Sequence, residues 1–177
     1  HALEVDRRPI VDRLPMEELI SMDVPKENRQ VNLDRSMRRT KATVRRKCMS
    51  GGLDHMLTLT YRKNMTEVDQ AYEHLTRFIR LVRNTHKDWK YVAVAEYQKR
   101  GAIHFHLAVR GFQQVQVLRH LWRSVIGDGN IDVKAPRHVR STKWTLPKLA
   151  GYLTKYITKD SCVAFGRQRY RVAEGIE

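Results

Sequence analysis

The stretch Ala93-Val94-Ala95-Glu96-Tyr97-Gln98-Lys99-Arg100-Gly101-Ala102-Ile103-His104-Phe105-His106-Leu107-Ala108-Val109 decides the fold. It reads as two strands joined by a tight turn at Lys99 to Ala102. Side chains alternate across a strand, so Ile103, Phe105, Leu107 and Val109 form one wholly apolar face. His104 and His106 then leave the opposite face together, with Cα atoms about 6.6 Å apart at the usual strand rise. Glu96 and Gln98 share a parity on the preceding strand. Two imidazoles and a carboxylate on neighbouring strands are the ingredients of an open metal site. The alternative is a pair of exposed or hydrogen-bonded histidines on a half-wet sheet.

Fifty residues downstream, Leu146 to Lys159 reads Leu-Pro-Lys-Leu-Ala-Gly-Tyr-Leu-Thr-Lys-Tyr-Ile-Thr-Lys. Thr145 or Leu146 can cap a helix, and Pro147 suits its first turn. Leu149, Leu153 and Ile157 recur every four residues and can pack on a sheet. Tyr152, Lys155, Tyr156 and Lys159 fill another face, with the tyrosines about 5–6 Å apart at Cβ. Gly151 in mid-helix costs roughly 1 kcal/mol relative to alanine, so a close backbone approach is expected there. Tyrosines often rim a core and lysines often coat a solvated face. A tyrosine hydroxyl is also a nucleophile, and lysines can stabilise phenolate or phosphate charge.

Three motifs in order carry a family resemblance: Leu57-Thr58-Leu59-Thr60-Tyr61, the Glu96 to His106 segment, and Tyr152-Leu153-Thr154-Lys155-Tyr156-Ile157-Thr158-Lys159. Together they resemble the HUH endonucleases, specifically the two-tyrosine rolling-circle initiators of phages and related elements. The likeness runs from about Asp34 to the C-terminus and includes Gly166-Arg167-Gln168-Arg169-Tyr170-Arg171-Val172. It implies a five-stranded antiparallel sheet with the metal histidines on a central strand. It also implies a metal-dependent enzyme that nicks and rejoins single-stranded DNA through a 5′-phosphotyrosine. In that reading His104 and His106 bind Mn²⁺ or Mg²⁺, with Glu96 the favoured third ligand and Gln98 its substitute. Tyr152 or Tyr156 attacks, Lys155 stabilises developing charge, and Lys159 contacts DNA. The implied partners are single-stranded DNA at a replication origin, with a host helicase and polymerase, in the cytoplasm of a bacterial cell. A two-tyrosine transposase or relaxase would share this chemistry. A non-catalytic α+β module whose histidines only read DNA is the rival from another class, and a structural zinc protein lacks its cysteine framework.

Composition agrees with a nucleic-acid partner. Thirty-four Lys+Arg against nineteen Asp+Glu give a formal charge of +15 over 177 residues, and neutralising phosphates releases condensed counterions. The 41% hydrophobic content, three Trp and seven Tyr are ample for one packed domain. No apolar run approaches membrane-spanning length, and no signal-peptide or P-loop pattern is present. Cys48 and Cys162 read as reduced thiols. The chain opens on His1, as a fragment would.

Elsewhere the order of elements can be sketched. Residues 1–33, with Pro9, Pro15 and Pro25, read as an arm with short helical turns; residues 34–177 read as the nicking domain. Asp34 is placed to cap a helix reaching Lys47, whose Arg38, Arg39 and Arg45 are candidates for DNA contact. A strand follows at His55–Tyr61. Thr66 and Asp69 suggest a capping box for a helix with Val68, Ala71, Tyr72, Leu75, Phe78, Ile79 and Val82 inward. A helix near Gln114–Val125, a strand near Asn130–Val133, a basic loop from Lys134 to Arg140 and a final strand near Arg169–Val172 complete the chain. Alternating strands and helices with a central hairpin predict an α+β fold, an antiparallel sheet covered by helices, rather than a doubly wound one.

Overall fold

In a computed structural model, which describes residues 26–98, 101–134, 145–158 and 170–177, the elements follow one another in a simple order. They are helix α1 (Lys26–Ser50), strand β1 (His55–Tyr61), helix α2 (Val68–Thr85), strands β2 (Tyr91–Tyr97) and β3 (Ile103–Val109), helix α3 (Val115–Ile126), strand β4 (Gly129–Lys134), helix α4 (Leu146–Leu153) and strand β5 (Tyr170–Val172). The five strands form one sheet in the order β4-β1-β3-β2-β5, with every pairing antiparallel. The expected α+β fold, a five-stranded antiparallel sheet flanked by helices, is what the chain adopts.

The turn of the β2–β3 hairpin depends on glycine. Gly101 has φ +82, a left-handed conformation that costs other residues a Cβ clash. Its N–H donates to Gln98 O at 2.8 Å, and Gln98 N–H donates to Ala102 O at 2.8 Å. Lys99 and Arg100 lie outside the described residues.

Both faces of the sheet are covered. On one, Leu57, Leu59, Phe105, Leu107 and Ile131 are fully buried beneath α2 and α3. Tyr72 meets Phe105 edge-on at 5.4 Å, and Trp122 meets Tyr61 at 5.2 Å and Phe78 at 5.6 Å. The Trp122 indole N–H donates to Thr60 O at 3.0 Å, so the ring is buried without orphaning its polar atom. On the other face α4 packs on β3, its following turn packs on β2, and α1 packs behind both. That is why Val92, Ala93, Val94 and Ala95 are all buried. A strand covered on both sides loses the apolar–polar alternation of a half-wet one.

Four expectations need correction. Asp34 does not cap α1, which runs continuously from Lys26 to Ser50. Its carboxylate instead accepts from the Gln30 amide one turn earlier, at 3.3 Å, a pairing that belongs to a helix interior. Residues 1–25 of the arm lie outside the described residues. The Thr66–Asp69 capping box is not formed: Glu67 is the N-cap of α2 and makes no side-chain cap bond. Apolar burial sets that terminus, since Val68, Ala71, Tyr72 and Leu75 pack inward without the box. The tyrosine helix is shorter than its pattern, ending as α-helix at Leu153 and tightening into a 3₁₀ turn over Thr154–Tyr156. Thr154, buried, turns its hydroxyl back to Gly151 O at 2.8 Å, and Ile157 is already extended at φ −83, ψ 90. Finally, a Cβ on Gly151 would meet nothing within 4 Å, so no backbone approaches it. The stripe Leu149, Leu153 and Ile157 is nevertheless buried as its spacing requires.

Candidate active site

His104 and His106 leave the same face of β3, as their parity dictates. Their neighbours follow from the register: Glu96 pairs with His104, Val94 with His106, and Thr58 of β1 flanks His106 from the other side. The face is enclosed by α4 and its 3₁₀ turn, and His106 is only 4% exposed.

A buried imidazole must satisfy both nitrogens. His106 Nε2 lies 2.6 Å from Glu96 Oε2, and Nδ1 lies 3.1 Å from Thr58 Oγ1. The carboxylate only accepts, so Nε2 carries the proton and Nδ1 takes the threonine hydroxyl. The half-buried His104 receives the Gln98 amide at Nδ1, 3.1 Å away. The sheet therefore brings the four candidate ligands into two touching pairs, His106 with Glu96 and His104 with Gln98. Among the described residues no three His, Cys, Asp or Glu side chains are grouped to hold a metal ion.

The tyrosines come to this face from above. Tyr156 lies flat on His106, ring centroids 3.5 Å apart and 8° from parallel. Tyr152 meets Tyr156 edge-on at 5.6 Å. Lys134, at the end of β4, donates to the Tyr152 hydroxyl at 3.3 Å. Lys155 Nζ sits 5.2 Å from the centre of the Tyr152 ring, a cation–π distance.

The two phenols differ in acidity. The Tyr156 hydroxyl donates to Tyr152, and Lys134 adds a hydrogen bond and positive charge, so Tyr152 ionises below the usual tyrosine range. Tyr156 is held above it, first by burial, then by giving its proton to that bond, and by the Tyr152 and Glu96 charges. Glu96 thus touches His106 directly and acts on Tyr156 through space.

Of the other candidates, Arg38, Arg39 and Arg45 are exposed on α1, outside the His106–Tyr156 stack. Lys159 lies outside the described residues. Two neighbours of the site were not singled out from sequence. Thr58 was readable as a strand residue of the right parity, and its partner was not. Lys134 read as the start of a basic loop, and only strand pairing with Met56 places it beside the tyrosines.

The family model for the replication-associated protein ORF2 and its relatives matches residues 54–161, more than half of the chain. It spans the sheet from β1 to β4 and the tyrosine helix. The chain belongs to this replication-associated family, with a role in replication initiation and in interaction with DNA. No curated protein and no solved structure matches it. No helix among the described residues is long and apolar enough to cross a membrane.

Proposed function

We propose that this protein is a site-specific, metal-dependent endonuclease of the HUH type. It nicks single-stranded DNA at a replication origin and rejoins it through a 5′-phosphotyrosine, starting rolling-circle replication. The observation that carries the reading is the stack of Tyr156 on His106 with Tyr152 beside Lys134. A nucleophile pair, a cation and the histidine–carboxylate face share one small volume.

The donor set fits a divalent cation in chemistry. His106 Nε2 and Glu96 Oε2 already converge on one point, where a shared proton stands in for the ion. His104, with Gln98 behind it, is on the same face and completes a set of nitrogen and oxygen donors suited to Mn²⁺ better than Mg²⁺. Such an ion, when bound, polarises the scissile phosphate and orients it.

The chain's own residues supply the rest. The Tyr152 oxygen bonds to phosphorus as the bond to the 3′ oxygen breaks. The phenol loses its proton and the departing 3′ oxygen gains one, leaving a free 3′-OH for a polymerase to extend. One phosphodiester is exchanged for another, so a later 3′-OH or Tyr156 can reverse the link. Lys134 and Lys155 stabilise the charge on Tyr152 before it is transferred. Arg38, Arg39, Arg45 and Lys159 are assigned to DNA phosphates, and a host helicase is the partner expected to open the duplex.

Chelation tests the metal. EDTA should abolish cleavage of a single-stranded origin pool and Mn²⁺ should restore it. His104→Ala and His106→Ala should each mimic EDTA while DNA binding persists through phosphate contacts. Robust cleavage by the double variant in chelator would end the metal reading.

A further inference from the structure

Choosing one site in a single strand requires side chains that read bases, and the groups around His106 are engaged with one another. The catalytic row does not stop at His104. Glu96 pairs with His104, and Thr60 stands one register step past the Leu59–Phe105 pair, on the other side of His104. Asn130 is the partner of Thr60 on β4. At about 4.8 Å between strands, Asn130 lies roughly 10 Å from His104. Thr60 and Asn130 line a cleft of about 350 Å³ together with Arg62, Arg123 and Asp128. That cleft shares Tyr61, Arg62 and Asp128 with a larger cavity of about 590 Å³.

The larger cavity is built unlike the basic surface of α1. Tyr61, Met65 and Ile126 supply apolar walls, and Asn64 and Gln70 supply amides. Its loop is tied to the catalytic strand, because Ile103 N–H donates to Met65 O at 2.8 Å immediately before His104. Arg62 is 3.4 Å from Asp128, with 78% and 60% of the two side chains exposed. A pair this exposed holds weakly and yields to a phosphate.

We propose that this cavity takes one unstacked nucleobase from a nucleotide flanking the scissile phosphate. Asn64 and Gln70 read its edge, and Arg62 takes the adjacent backbone phosphate. The inference rests on the nicking reading for its place beside the cut. Its physics is that of single-strand recognition, in which a splayed base enters a pocket and amides match its donors and acceptors.

Binding tests it apart from cleavage. The full chain, in chelator, would select from a random single-stranded pool, and the preferred sequence would be rebuilt with one abasic nucleotide at each position. One position should stand out, with an affinity loss of roughly tenfold, the discrimination of one good base contact. Asn64→Ala and Gln70→Ala should abolish that loss while binding the abasic strand as the parent does. Asn64→Asp and Gln70→Glu, which keep the shape but remove N–H donors, should change the preferred base. Arg62→Ala should weaken all sequences alike. An unchanged preference in the amide variants, or equal losses on abasic and intact strands, would overturn the pocket. Covalent adduct formation with Mn²⁺ would be scored in parallel. A base preference carried by Asn64 and Gln70 without any adduct would support the pocket and overturn the nicking reading.

Discussion

Tyr152 and Tyr156 sit four residues apart yet have opposite characters. Tyr156 is pressed against His106 and donates its hydroxyl proton to Tyr152, while Lys134 stabilises Tyr152 from the other side. Tyr152 is therefore the initiating nucleophile in this account. A phenol held below its usual range ionises at lower pH, so the rate of the first nick should level off at lower pH than for an ordinary tyrosine. Tyr156→Phe removes the donor and should move that limb to higher pH; an unchanged profile would show that the bond does not tune the nucleophile. Glu96→Ala should weaken metal affinity more than Gln98→Ala, since Glu96 touches His106 and Gln98 only His104. The reverse order, measured by metal titration, would reassign the third ligand. The shared face of His104 and His106 was legible in their parity. That Thr58 and Lys134 complete the site was not, because strand pairing over long sequence separations places them.

Among the elements, the apolar ones were easiest to read. The bounds of β1 and the inward stripe of α2 follow from period alone, and both emerged as expected. The end of the tyrosine helix was hidden, because Leu149, Leu153 and Ile157 keep helical period through a turn that is no longer α-helical. The α1 start was hidden for the opposite reason: Asp34 looks like a cap, but the helix continues past it. Strand β4 has its own constraint. A Cβ on Gly129 would fall 2.3 Å from Thr60 O, a clash with backbone that cannot relax cheaply. Gly129→Ala should lower the melting temperature and shift β4 away from β1, taking Lys134 with it. Trp122→Ala should cost about 3–5 kcal/mol in denaturant unfolding, whereas Phe112→Ala, at a side chain 86% exposed, should cost little. Similar losses for the two would contradict the core described above.

At the scale of the molecule, a formal charge of +15 must meet a polyanion or repel itself. Single-strand affinity should fall linearly on a log–log plot against salt, with a slope set by the phosphates neutralised. Arg38→Ala with Arg45→Ala, one face of α1 seven residues apart, should make the slope shallower by roughly one to two units. An unchanged slope would make α1 a solvated face. The covalent link to DNA tests the central claim most directly. The full chain would be incubated with 5′- and 3′-labelled single-stranded origin DNA and Mn²⁺, and the protein-linked ends mapped by peptide sequencing. The account predicts a 5′ end on Tyr152 in the parent, impaired joining in Tyr152→Phe and Tyr156→Phe singly, and no adduct in the double variant. A double Tyr→Phe protein that still becomes covalently attached to DNA would contradict it.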